Sequence, residues 1–227
     1  MSHRPRRVLG GFATALVLLV LAAAPVAADT VPQEDFSFSQ SGLSADASTE
    51  VCVENADATA TCSGTGVFLF AGKARVGGEG AIRGAELCAQ AFTYTLVTAT
   101  GEAIDFSNEF GCTMDLGAGS VIAKDLSTAT LTPTTVTIQG ETCDEISCVP
   151  AGTPRDIVVE GTWTGVGQVV REQYRSVTDD GVCVSRDRSK GSFREATFAG
   201  TFDGQPLDAQ YASLRNGKFS FSVSCAI

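Results

Sequence analysis

Histidine is almost missing from this chain: among 227 residues there is one, His3. Tryptophan also occurs once, at Trp163. No Cys-x-x-Cys pair exists, and the closest cysteines, Cys143 and Cys148, have four residues between them. Positive charge is scarce, with 16 Lys and Arg against 26 Asp and Glu, for a formal net charge of −10. Long apolar runs are missing too. The longest, Phe12 to Ala24, falls short of the roughly 20 residues that a membrane-spanning helix needs.

These absences exclude chemistry. Arg4, Arg6 and Arg7 ahead of the Phe12–Ala24 run, then Pro25-Val26-Ala27-Ala28, have the layout of an export signal cleaved near Ala28. The predicted mature chain therefore loses His3 and three arginines, has no histidine, and carries a net charge of −13. Without histidine, Ser-His-Asp and Cys-His nucleophile systems are ruled out, as are His-ligated zinc, copper and haem sites. No Gly-x-Ser-x-Gly, Ser-x-x-Lys, P-loop or dinucleotide glycine pattern occurs, so no cofactor and no metal are expected. The acidic balance argues against nucleic acid and anionic lipid as partners. No membrane span is expected in the mature chain.

Cysteine is plentiful. Cys52, Cys62, Cys88, Cys112, Cys143, Cys148, Cys183 and Cys225 make an even set in a chain predicted to be secreted, extracellular or in the cell envelope, which reads as four disulfides. Eight cysteines allow 105 pairings. A meander of hairpins brings chain neighbours together, and so predicts Cys52–Cys62, Cys88–Cys112, Cys143–Cys148 and Cys183–Cys225.

Period-two alternation recurs and helical periodicity does not. Phe219, Phe221 and Val223 alternate with Lys218, Ser220, Ser222 and Ser224, and Phe36 and Phe38 with Ser37 and Ser39. Phe92, Tyr94 and Leu96 alternate with threonines, as do Val136 and Ile138. Such runs are half-buried strands. Asn216-Gly217, Asp180-Gly181 and Asp203-Gly204 have the residues of tight hairpin turns. The expected fold is all-β: an antiparallel meander forming a sandwich or barrel.

A faint internal repeat, in which Gly66 and Cys88 fall on Gly161 and Cys183 at an offset of 95, divides the chain. It predicts a signal peptide over 1–28, a lead-in over 29–45, β halves over 46–139 and 156–227, and a Cys/Pro/Gly connector over 140–155.

One constellation points to a site. Pairing about Asp180-Gly181 sets Arg175 against Val184, Gln173 against Arg186 and Arg171 against Arg188. Arg171, Arg175, Arg186, Arg188 and Lys190 then share one face. A positive strip on an acidic protein fits an anion: a phosphate, a carboxylate or an acidic polysaccharide. Glu172, Asp187 and Glu195 are the acids near enough to neutralise it instead. Trp163, in Gly161-Thr162-Trp163, opens a long strand and reads as a core anchor, or as the wall of a barrel pocket.

The leading functional expectation is a secreted, non-catalytic, disulfide-stabilised β-protein that works by surface contact with a polysaccharide or protein. The alternative is a small-ligand carrier with an apolar barrel interior lined by Trp163. A third class holds a carboxylate-only hydrolase, using Glu102 with Asp105 or Glu172 with Asp187, and a protease inhibitor presenting the Cys143–Cys148 loop. Asp179-Asp180 and Asp144-Glu145 are the acid pairs open to calcium.

Overall fold

The computed structural model describes residues 36–77, 81–143, 148–179 and 183–225. The proposed signal peptide lies outside them, as do Asp144, Glu145, Asp180 and Gly181. Ten strands follow in chain order: β1 (Phe36–Glu54), β2 (Thr59–Val76), β3 (Ile82–Val97), β4 (Ala103–Thr113), β5 (Val121–Ile122), β6 (Thr128–Cys143), β7 (Cys148–Asp179), β8 (Cys183–Phe202), β9 (Gln205–Pro206) and β10 (Tyr211–Cys225).

All the pairings are antiparallel. The sheet runs β10-β1-β2-β3-β4-β6-β7-β8, and β10 pairs with β8 as well, so it closes into a ring. Of the expected architectures the closed one is present, although the ring is not a regular barrel. Its thinnest seam is β4–β6, where only Asn108, Glu109 and Phe110 face Glu141, Gly140 and Gln139. Arg155 of β7 reaches across this seam to Glu109 at 2.8 Å and also holds Asp203 at 3.0 Å.

The alternating apolar residues form one core inside the ring. Ala45 and Ala47 of β1, Val67 and Leu69 of β2, and Leu87 and Ala89 of β3 face Val136, Ile138, Ile157 and Val159 of β6 and β7 in one buried cluster. Trp163 is fully buried, with its ring 4.6 Å from that of Phe198. Its Nε1 donates to the Asp46 carbonyl oxygen at 2.8 Å. The stretches 46–139 and 156–227 both supply this core, and β1 pairs with β10 from Phe36 to Ser48. Within the expected connector, 140–143 end β6 and 148–155 begin β7. Much of the expected lead-in, from Phe36 onward, is part of β1.

Among the described residues, three disulfides join facing residues of neighbouring strands: Cys52–Cys62, Cys88–Cys112 and Cys183–Cys225, with Cα atoms 3.9–4.0 Å apart. Cys143 and Cys148 also face each other in the β6–β7 register, and their side chains lie outside the described residues.

Two turn expectations need correction. Asn216-Gly217 is not a turn. Strand β10 runs straight through it, with Asn216 opposite Leu43 and Gly217 opposite Gly42. The reason is steric. Gly84, Gly72, Gly42, Gly217 and Gly191 stand in one row across β3, β2, β1, β10 and β8. A Cβ on Gly42 would lie 2.3 Å from the Ala71 carbonyl oxygen, and one on Gly72 would lie 2.3 Å from that of Ser41. Glycine is needed here for close backbone approach between neighbouring strands, rather than for reversal. Asp203-Gly204 does turn the chain, with φ of 54° and 74°, but the strand that follows is only β9, and β10 starts at Tyr211. The second correction concerns the β7–β8 hairpin: its register differs from expectation by four residues, as described below.

Candidate cationic cleft

The glycine row divides the ring chemically. On its core side, the inward face carries Leu69, Ala45 and Leu214. Beyond it the same face continues without a break in alternation, and the apolar residues change sides. Phe36, Phe38, Phe219 and Phe221 take the opposite face, where the ring of Phe36 packs tilted against that of Phe221 (6.2 Å) and Phe38 against Phe219 (6.0 Å). The face continuous with the core becomes polar and positive.

Register pairing shows which residues share it. One row reads Arg75, Ser39, Ser220, Arg188, Arg175 across β2, β1, β10, β8 and β7. The next reads Lys73, Ser41, Lys218, Lys190, Gln173. Arg83 of β3 faces Lys73. Arg171 faces Ser192, and Arg186 faces Val177. Thus these nine, with Arg194 nearer the core, make ten of the thirteen Lys and Arg that follow residue 28 on one face of a chain whose acids outnumber its bases.

The five strands curve these rows into a cleft of about 570 Å³. Its cations are Lys73, Arg75, Arg175, Arg188, Lys190 and Lys218, and among the described residues no carboxylate lines it. Serines Ser39, Ser41 and Ser220 form much of the floor between a β2 wall and a β7–β8 wall. A second depression, containing Arg171, Glu172 and Ser192, continues from it and shares Lys190 and Lys218. Among the described residues, none of the six cleft cations forms an ion pair. The ion pairs found belong to Arg155.

Arg171, Arg175, Arg186, Arg188 and Lys190 therefore share one face, as alternation predicts, but their partners differ. Arg175 stands against Arg188, Gln173 against Lys190 and Arg171 against Ser192. Asp179 faces Val184, so each β7 residue meets a β8 partner four residues further along than expected. The resulting shift in partner is an even number of residues, and an even shift leaves every side chain on its face.

Lys73, Arg75 and Lys218 were not legible as members of the site. Lys218 lies in the segment read as a hairpin arm, and the β2 cations come near only because the ring closes. At the core end of the same face, Arg194 donates to the Leu126 carbonyl oxygen at 3.3 Å, and its buried Nε has no hydrogen-bond partner. Trp163 lies in the core and does not line the cleft.

Among the described residues, the other candidates form no comparable arrangement. Glu172 alternates to the face of β7 opposite Arg171 and Gln173, and Asp187 faces Ser176 there. Cys88 and Cys112 lie beside Glu86, whose carboxyl burial pushes above the usual range, but both sulfurs are committed to their disulfide. No family model, no curated protein and no solved structure matches the chain.

Proposed function

We propose that the protein is a non-catalytic binding module of the extracellular space or cell envelope, and that it holds an anionic ligand in the cationic cleft. One observation carries the reading: six cations line a concave site in which no carboxylate is found among the described residues. Like charges on facing strands cost stability. Ordinary proteins disperse them or pair them with acids, and this chain has 26 acids available. Arginine's planar fork makes paired charge-assisted hydrogen bonds to carboxylate, sulfate or phosphate. The disulfides suit an oxidising compartment, and the lack of histidine after His3 supports binding over catalysis. The carrier alternative has less support, because Trp163 is packed inside the core.

The test is retention on a sulfated resin. Wild-type protein should bind despite its net negative charge and elute with salt. The double variant Arg175→Ser, Arg188→Ser should flow through. Equal retention of the two proteins would sink the reading.

A further inference from the structure

Resting on that reading, we infer that the anionic ligand is a linear acidic polysaccharide, lying lengthwise along β1 and β10 between two cationic walls. The geometry of the cleft points to a chain. Its floor follows the strand direction, with Ser39 and Ser41 on β1 and Ser220 and the cation Lys218 on β10. Lys73 and Arg75 stand on one flank, and Lys190 and Arg188 on the other. Strands lie about 4.8 Å apart, so the β2 and β8 walls are separated by roughly 14 Å measured along the sheet, and less across its curve. Alternate residues in a strand are about 6.7 Å apart, so each wall repeats its charge along the cleft axis. A compact anion touches one wall. A chain bearing charge at intervals touches both.

The chemistry of the floor points to a sugar. Serine hydroxyls, with the Gln173 amide beside them, both donate and accept hydrogen bonds. They match a ligand that presents hydroxyls between its charges. A bare polyphosphate offers acceptors almost everywhere and leaves the acceptor capacity of the floor unused. Single-stranded nucleic acid is held by stacking on aromatic rings. Here Phe36, Phe38, Phe219 and Phe221 take the opposite face of the sheet, and the two aromatics that border the cleft, Tyr174 and Phe219, alternate away from its cation rows. The remainder of the protein repels polyanions, since 26 acids are left against three other Lys and Arg after residue 28. Binding therefore depends on local hydrogen-bond matching and not on charge alone.

The experiment measures the affinity of the full secreted chain for five probes at one salt concentration: polygalacturonate, dextran sulfate, neutral dextran, polyphosphate and an oligothymidylate. Polygalacturonate or dextran sulfate should bind at least tenfold more tightly than polyphosphate or oligothymidylate of equal charge, and neutral dextran should not bind. The better of the two sugars identifies carboxylate or sulfate as the recognised group. The variant Ser39→Ala, Ser41→Ala, Ser220→Ala should weaken that sugar about tenfold and leave polyphosphate unchanged, with a matching thermal melt showing that it is folded. Equal or tighter binding of polyphosphate or oligothymidylate overturns the inference while leaving an anion site in place. Serine variants with undiminished sugar affinity overturn it as well. Failure of every polyanion to bind overturns the anion site itself.

Discussion

Arg175 on β7 stands directly opposite Arg188 on β8, and among the described residues neither forms an ion pair. Facing like charges destabilise a sheet by an amount comparable to the 0.2–1 kcal/mol that favourable cross-strand pairs contribute, so about 0.5 kcal/mol is recoverable here. Replacing Arg188 by Ser should leave urea stability equal or slightly raised. A clear loss of stability would show that the pair is neutralised by the protein's own acids, and that no ligand is needed to account for it.

The glycine row predicts a sharp positional effect. Gly72→Ala would push a Cβ to 2.3 Å from the Ser41 carbonyl oxygen and 2.8 Å from the Gly42 Cα. Backbone cannot yield as a flexible side chain does, so a loss above about 2 kcal/mol is expected, in the range of overpacking in a core. Gly66→Ala meets only the Gln90 side chain, at 3.1 Å and beyond, and should cost far less. Similar melts for the two variants would argue against close approach at the row.

The disulfides should rank by the loop each closes. Loop entropy gives about 4 kcal/mol for Cys183–Cys225, about 3.4 for Cys88–Cys112 and about 2.7 for Cys52–Cys62, following separations of 42, 24 and 10 residues. Double Cys→Ser variants measured by chemical denaturation check the order. Cys183–Cys225 also ties β8 to β10 five residues along each strand from the Arg188–Ser220 pair of the cleft, so its removal alone among the three should weaken polyanion binding.

Asp46 predicts a pH dependence. Burial raises its pKa, more than the Ser213 hydroxyl 2.6 Å away and the nearby Arg215 lower it. The folded state therefore holds this proton more tightly than the unfolded chain does. That contribution to stability is present in full below the unfolded value and is lost as pH rises through the raised folded value. In Asp46→Asn the fall in stability over that window should flatten. An unchanged pH profile would assign the slope to other groups.

Alternation alone made the strands, the shared face of the β7 and β8 cations and the neighbour disulfides legible, because each depends on parity or on hairpin order. The register of β7 against β8 was not legible. Parity survives a four-residue shift, so alternation cannot choose between the two registers. Asn216-Gly217 misled for a related reason. Glycine that tolerates a reversal is the same residue that lets two backbones meet, and only the row of Gly42, Gly72 and Gly191 beside it tells the uses apart. Lys73 and Arg75 join the cleft through ring closure, a contact between distant segments that local pattern does not record.

Strand β10 pairs with β1 on one edge and with β8 on the other. Until residues 211–225 have been synthesised and threaded into place, both of those long strands present unpaired edges, and Cys183 has no Cys225 to join. Closure between segments so far apart in sequence is slow to nucleate, and open edges invite pairing with other chains in the interval. The surplus of acidic residues then has a kinetic use: it keeps unfinished copies apart while the chain waits for its closing strand.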